Sequence, residues 1–177
     1  MMVGEIEFIS TKTIVHYLKM ESNPQFGFEI KDIIIIELLK KPITSTKYLE
    51  FYNKVGKNWN WTERVLMNNA ELEKIINSDN NEIYVFSKNN TNIGYAEFIN
   101  HNNFVEIQYF GLFPEHTGKG LGKQLFKWCI SKAWSYKPEW VQLNTCDLDH
   151  KSAIPMYKEL GFAEYETVNV ERFIYLK

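Results

Sequence analysis

His116-Thr117-Gly118-Lys119-Gly120-Leu121-Gly122-Lys123 joins an apolar, strand-like run ending at Leu112 to a helix-like run from about Gly122 to Tyr136, and its reading decides the fold. Glycines at alternate positions let the backbone curl with its N–H groups turned inward. The start of the following helix adds positive potential. Together these features suit a pyrophosphate, with Lys119 and Lys123 either adding charge or simply solvated at the surface. Glycines at a strand–helix turn also serve tight packing, and that reading stays open. Two phosphate loops are excluded by spacing. The Walker pattern needs four residues between its glycine and its Gly-Lys pair, then Ser or Thr. Here three residues separate Gly118 from Gly122-Lys123, and Gln124 follows. The dinucleotide pattern Gly-x-Gly-x-x-Gly fails as well, because the third glycine arrives one residue early.

Downstream stands His150-Lys151-Ser152-Ala153-Ile154-Pro155-Met156-Tyr157-Lys158-Glu159-Leu160-Gly161-Phe162. The glycine loop resembles the acetyl-CoA loop of the GNAT superfamily, Gln/Arg-x-x-Gly-x-Gly/Ala, with Thr117 in place of Gln or Arg. The downstream run resembles that family's Asn-x-x-Ala-x-x-x-Tyr-x-x-x-Gly-Phe signature. Ala153, Tyr157, Gly161 and Phe162 match, and His150 stands where Asn is usual. Glu106 to Leu112, Thr145 to His150, Val55 to Trp61 and Tyr17 to Met20 extend the likeness to an uncharacterised bacterial subgroup of N-acetyltransferases. The resemblance implies the α/β GNAT fold, a central mixed, mostly antiparallel twisted sheet of about seven strands flanked by about four helices, with an extra N-terminal strand. It implies a single domain over 1–177. Residues 1–103 form the half with acceptor-side helices, 104–162 the acetyl-CoA-binding and catalytic segment, and 163–177 a closing strand.

The implied activity is acetyl-CoA-dependent N-acetyl transfer directly to a primary amine of a small molecule or peptide, which poses three chemical problems. The amine must lose a proton, since a lysine-like ammonium has a pKa of roughly 10. Glu106, at the family's distance before the glycine loop, is the candidate base and also touches the acceptor; the alternative is a strand carboxylate facing solvent. Negative charge gathers on the carbonyl oxygen. The resemblance places that oxygen near the Phe110 N–H, pairs Leu112 with the pantetheine arm, and assigns Gly111 a bulge that frees these groups. CoA leaves as a thiolate, and Tyr157 holds the family's acid position; otherwise it is a core tyrosine with its hydroxyl in water. Thr117, Gly118, Lys119, Gly120, Leu121, Gly122, Lys123 and His150 complete the cofactor contacts. Trp59 and Trp61 either wall the acceptor pocket or lie in the core. Cys146 reads as a buried inert thiol, and Asp149 with His150 as helix capping in preference to a catalytic dyad. Acidic Glu106, Asp147 and Asp149 point to a cationic acceptor. A catalytically silent acyl-CoA-binding sensor or scaffold is the competing reading, kept open by Thr117 and His150.

Composition narrows the remaining classes. A net charge of −2 with no basic run argues against nucleic-acid binding through bulk electrostatics. Two cysteines without metal-ligand spacing point to free thiols, and no metal is expected. The longest β-branched run, Ile33 to Ile36, is too short to span a bilayer, and no signal peptide is read. The expected protein is cytoplasmic, a monomer or homodimer, with no membrane partner. A nucleotide hydrolase is contradicted by the loop spacing and lacks a following Mg²⁺-binding carboxylate.

Periodicity supplies the elements. Residues 5–20 read as extended and end at Ser22-Asn23-Pro24; 33–40 reads as a buried strand. Ser45–Lys57 reads as a helix with an apolar stripe of Tyr48, Leu49, Phe51, Tyr52 and Val55, and Asn69 as the cap of a helix reaching Asn77. Strands follow at 82–88 and 92–100 around the turn Asn89-Asn90, then at 104–112 and 140–146. A helix over 151–160 and a strand near 168–176 close the chain.

Overall fold

A computed structural model describes residues 2–3, 6–26 and 33–176. Its strands are β1 (Met2–Val3), β2 (Ile6–Met20), β3 (Ile34–Leu38), β4 (Asn81–Lys88), β5 (Thr91–Asn100), β6 (Phe104–Leu112), β7 (Trp140–Cys146) and β8 (Ala163–Tyr175). Its helices are α1 (Ser45–Gly56), α2 (Asn69–Ile76), α3 (Leu121–Ser135) and α4 (Ala153–Glu159). The strands form one sheet in the order β1-β2-β7-β6-β5-β4-β3, with β8 on the other edge of β2. Only β6 and β7 run parallel among the described strands. This is the mixed, mostly antiparallel GNAT architecture expected from the motifs.

Alternation along the strands divides the core into two layers. Ile83, Val85 and Tyr95 pack with Tyr48, Phe51, Tyr52, Leu72 and Ile76 of α1 and α2. Tyr84, Phe86, Ala96 and Phe98 instead join Leu125, Phe126, Cys129 and Ile130 of α3. The helices therefore cover opposite faces of the sheet. Asn89 and Asn90 both take positive φ, 50° and 58°, as the tight β4–β5 hairpin requires.

Several expectations change. Residues 33–40 are not a buried strand: β3 is a sheet edge, with Ile33 87% exposed and Ile35 and Leu38 about half exposed. The α2 cap is Asn68, not Asn69. Asn68 has the extended backbone a cap needs, and its Oδ1 accepts from Glu71 N at 2.9 Å. Helix α4 starts at Ala153, two residues later than expected, and β8 starts at Ala163, directly after the turn at Gly161 (φ 104°). The expected strand from residue 5 is β2, residue 5 itself lying outside the described residues. The β6 bulge is not at Gly111. Register passes from Glu97↔Tyr109 to Phe98↔Ile107, leaving Gln108 as the extra residue. Gly111 answers a packing need: a Cβ there would lie 2.1 Å from Val55 Cγ1 of α1.

Candidate active site

Strands β6 and β7 pair only over Phe104–Glu106 and Trp140–Gln142, and a cavity of about 300 Å³ lies where they are no longer paired. Its walls are Ile107–Leu112 of β6 and Leu143–Cys146 of β7. Tyr52, Val55 and Trp61 reach it from the α1 face, and Phe126, Met156 and Tyr157 from the α3 and α4 face. The cavity thus joins both faces of the sheet through the gap. Where strands separate, backbone groups on the facing edges lack ladder partners and are free to bind something else.

The glycine loop closes one part of this cavity through Thr117, Gly118, Gly122 and Lys123. Gly118 and Gly120 take left-handed φ values of 71° and 77°, yet a Cβ on either would meet nothing within 4 Å. Tight packing therefore does not explain these glycines; backbone conformation does. Gly120 is the N-cap of α3, whose first-turn N–H groups have no intrahelical acceptor. The side chains of the loop are otherwise occupied. Thr117 Oγ1 donates to Pro114 O at 2.8 Å, Lys119 Nζ to Glu115 O at 2.6 Å, and Lys123 pairs with Glu159. Leu121 is buried in the core, and neither it, Lys119 nor Gly120 lines the cavity.

Phe110 and Leu112 do line it, the Phe110 ring packing 4.9 Å from Phe126. So does Tyr157, half-buried between Phe126 and Phe162, with ring centroids at 4.8 and 6.3 Å. Its hydroxyl makes no hydrogen bond among the described residues. Burial first, then the Asp149 carboxylate and the Cys129 sulfur, push its pKa above the ordinary phenol value. Glu106 is not on the cavity wall. It sits at the last β6–β7 pair, accepting from Asn144 Nδ2 at 3.2 Å and meeting His101 Nε2 at 3.3 Å. Asn144 lines the cavity and is the link between the two.

Trp59 and Trp61 both reach the wall. Trp59 meets the His150 ring edge-on at 5.1 Å, while His150 Nδ1 accepts from Ser152 N at 3.1 Å. Trp61 packs against Tyr52 and Tyr109, and its Nε1 donates to Asp149 Oδ1 at 2.8 Å. Asp149 is accordingly not a helix cap. Its Oδ2 accepts from Thr145 Oγ1 at 2.7 Å and Cys146 N at 3.0 Å, tying the end of β7 to the indole. The Cys146 thiol is pushed up to about 11 by burial and by Asp149, which keeps it protonated at neutral pH.

Tyr109, Glu63 and Arg172 are among the lining residues that escaped the sequence reading. Tyr109 donates to Glu63 Oε2 at 3.1 Å, and Glu63 Oε1 faces Arg172 NH1 at 3.1 Å. These meet only because β8 runs beside the loop after α1, and no local pattern signals that. Among the described residues no group of three or more His, Cys, Asp and Glu side chains is placed to hold a metal ion, and no helix is long and apolar enough to cross a membrane.

A family model described as the acetyltransferase (GNAT) family matches residues 48–162. No curated protein matches by sequence. Among solved structures, a functionally unknown conserved protein from Staphylococcus epidermidis is similar, at a TM-score of 0.66 and 17% identity, over 93% of this chain and 62% of that one. A GCN5-related N-acetyltransferase from Sphaerobacter thermophilus gives 0.62 and 12%, over 92% of this chain and 51% of that one. This chain thus spans less than two thirds of the length of either. An aminoglycoside acetyltransferase from an uncultured soil metagenomic sample gives 0.57 and 17%, over 74% and 89%. At such identities the likeness is one of fold.

Proposed function

This chain belongs to the GNAT acetyltransferase family, and we propose from that premise that it transfers acetyl from acetyl-CoA directly to the nitrogen of a primary amine. The observation that carries the reading is the continuity of the β6–β7 opening with a loop whose glycines are left-handed without any packing demand. That loop and the first turn of α3 offer backbone N–H groups suited to a diphosphate. The opening would take the pantetheine arm along Phe110 and Leu112, and Lys123 and His150 stand beside it.

In the proposed step the amine nitrogen bonds to the thioester carbon and the C–S bond breaks. One proton leaves the amine and one reaches the departing sulfur. Tyr157 supplies the second: its phenol is protonated, lines the cavity and has no other acceptor among the described residues. Glu106 receives the first through water beside Asn144, the cavity residue it is bonded to. Trp59 and Trp61 bound the acceptor.

Released CoA should depend on added amine when purified protein is assayed with acetyl-CoA and a panel of primary amines. Glu106→Gln should lower kcat by about 10²-fold without weakening acetyl-CoA binding. Unchanged turnover at saturating substrate removes Glu106 from the step, and CoA release that ignores the amine removes direct transfer.

A further inference from the structure

The acidic residues that point to a simple cation in the sequence are mostly occupied. Asp147 pairs with His16, Glu106 is off the cavity wall, and both Asp149 oxygens accept hydrogen bonds from the protein. What the acceptor side of the cavity presents instead is a pair of opposite charges side by side, Glu63 and Arg172.

The pair is held in place. Thr62 Oγ1 donates to Phe173 O at 2.6 Å, Tyr175 N to Asn60 Oδ1 at 3.3 Å, and Tyr175 Oη to Trp61 O at 3.4 Å. These bonds lock the loop carrying Trp59, Trp61 and Glu63 against the strand carrying Arg172. The guanidinium, partly buried at 21% side-chain exposure, meets Glu63 through NH1 alone. Its remaining donors have no acceptor among the described residues, and a planar fork of five donors is built for a carboxylate. Glu63 already accepts from Tyr109 at Oε2 and faces Arg172 at Oε1, but at 47% exposure its outer lone pairs keep room for a third donor. The rings of Tyr109 and Trp61, 5.1 Å apart, stand next to the pair and offer an apolar surface.

We infer that the acceptor is a zwitterionic amine of the amino-acid type, its carboxylate on Arg172, its ammonium on Glu63 before deprotonation, and its apolar part against Trp61 and Tyr109. This rests on the acetyl-transfer reading and narrows its substrate class. Both charges are needed, because either alone must compete with an existing ion pair.

The test is tryptophan fluorescence titration of CoA-saturated protein with phenylalanine, phenylalaninamide and 3-phenylpropionate. Phenylalanine should bind about ten-fold or more tightly than either probe lacking one charge. Arg172→Gln should erase its advantage over the amide, and Glu63→Gln its advantage over the deaminated acid. Circular dichroism checks that each variant is folded, and if one is not, the other still decides. Equal or tighter binding of the amide, or no binding of phenylalanine at millimolar concentration, overturns the inference. Calorimetry with acetyl-CoA separates the two levels. Failure to bind acetyl-CoA overturns the transferase reading, whereas acetyl-CoA binding without charge discrimination overturns only the acceptor class.

Discussion

Tyr157 illustrates how surroundings prepare a single side chain for the role proposed for it. Its ring is clamped between Phe126 and Phe162 while the hydroxyl stays unbonded among the described residues, so the group is rigid and available. Burial and the Asp149 carboxylate raise its pKa above the ordinary phenol value of 10.0, and the neutral, donating form therefore persists throughout neutral and mildly alkaline solution. Tyr157→Phe should lower kcat by about 10²-fold and leave acetyl-CoA affinity nearly unchanged, as read from steady-state rates and calorimetry. Any alkaline limb of the rate profile below pH 10.0 belongs to another group.

The loop that starts α3 depends on backbone shape more than on side-chain contact. Gly120→Ala places a Cβ in open space but forces an L-residue into a φ of 77°, at a conformational cost of roughly 1–2 kcal/mol. The expected outcome is a lower Tm with about ten-fold weaker acetyl-CoA binding by calorimetry, since the loop relaxes away from the shape that aims its amides. A second device joins β2, the end of β7 and β8. His16 Nδ1 contacts Glu164 and Nε2 contacts Asp147, each at 3.0 Å, and these carboxylates raise its pKa above 6.5. Lys158 bonds to the same Glu164 and helps hold its carboxyl below the usual range. A raised histidine stabilises the fold fully below its unfolded pKa of 6.5 and loses that contribution as pH climbs through the folded value. Urea midpoints should therefore fall from about pH 6 to 8 in the wild type, and less so in His16→Gln.

Across the whole molecule, the two core layers are not equally apolar. Beneath α1 and α2 a buried network surrounds Glu97. Arg64 NH2 lies 3.0 Å from Oε1, Asn81 Nδ2 donates to Oε1 at 2.7 Å, and Tyr48 Oη donates to Oε2 at 2.5 Å. Glu97 is 0% exposed and Arg64 6%, so neither charge has water to fall back on. Removing one partner strands the other: Arg64→Met should destabilise the fold by about 3–5 kcal/mol in chemical denaturation. Arg64 also stands 5.5 Å over the Tyr109 ring, and its N–H donates to Tyr52 Oη at 3.3 Å. The network therefore supports the wall on which the acceptor is proposed to rest.

Local order was readable from the amino acids alone. The Asn89-Asn90 hairpin, the α1 stripe and the glycine loop before α3 depend on backbone preference and side-chain period, which neighbouring residues specify among themselves. The cavity-lining positions Gly118, Gly122 and Tyr157 were legible because they stand in two contiguous motifs, and Phe110 and Leu112 because the resemblance extends through Glu106 to Leu112. What only the tertiary structure decided is the acceptor side. Glu63 meets Arg172, Trp61 meets Asp149, and Glu97 meets Arg64 across pairings of remote segments. The edge position of β3 and the bulge at Gln108 are likewise consequences of which strands lie side by side. A side-chain period states which residues share a face; it carries no information about which distant segment that face will meet.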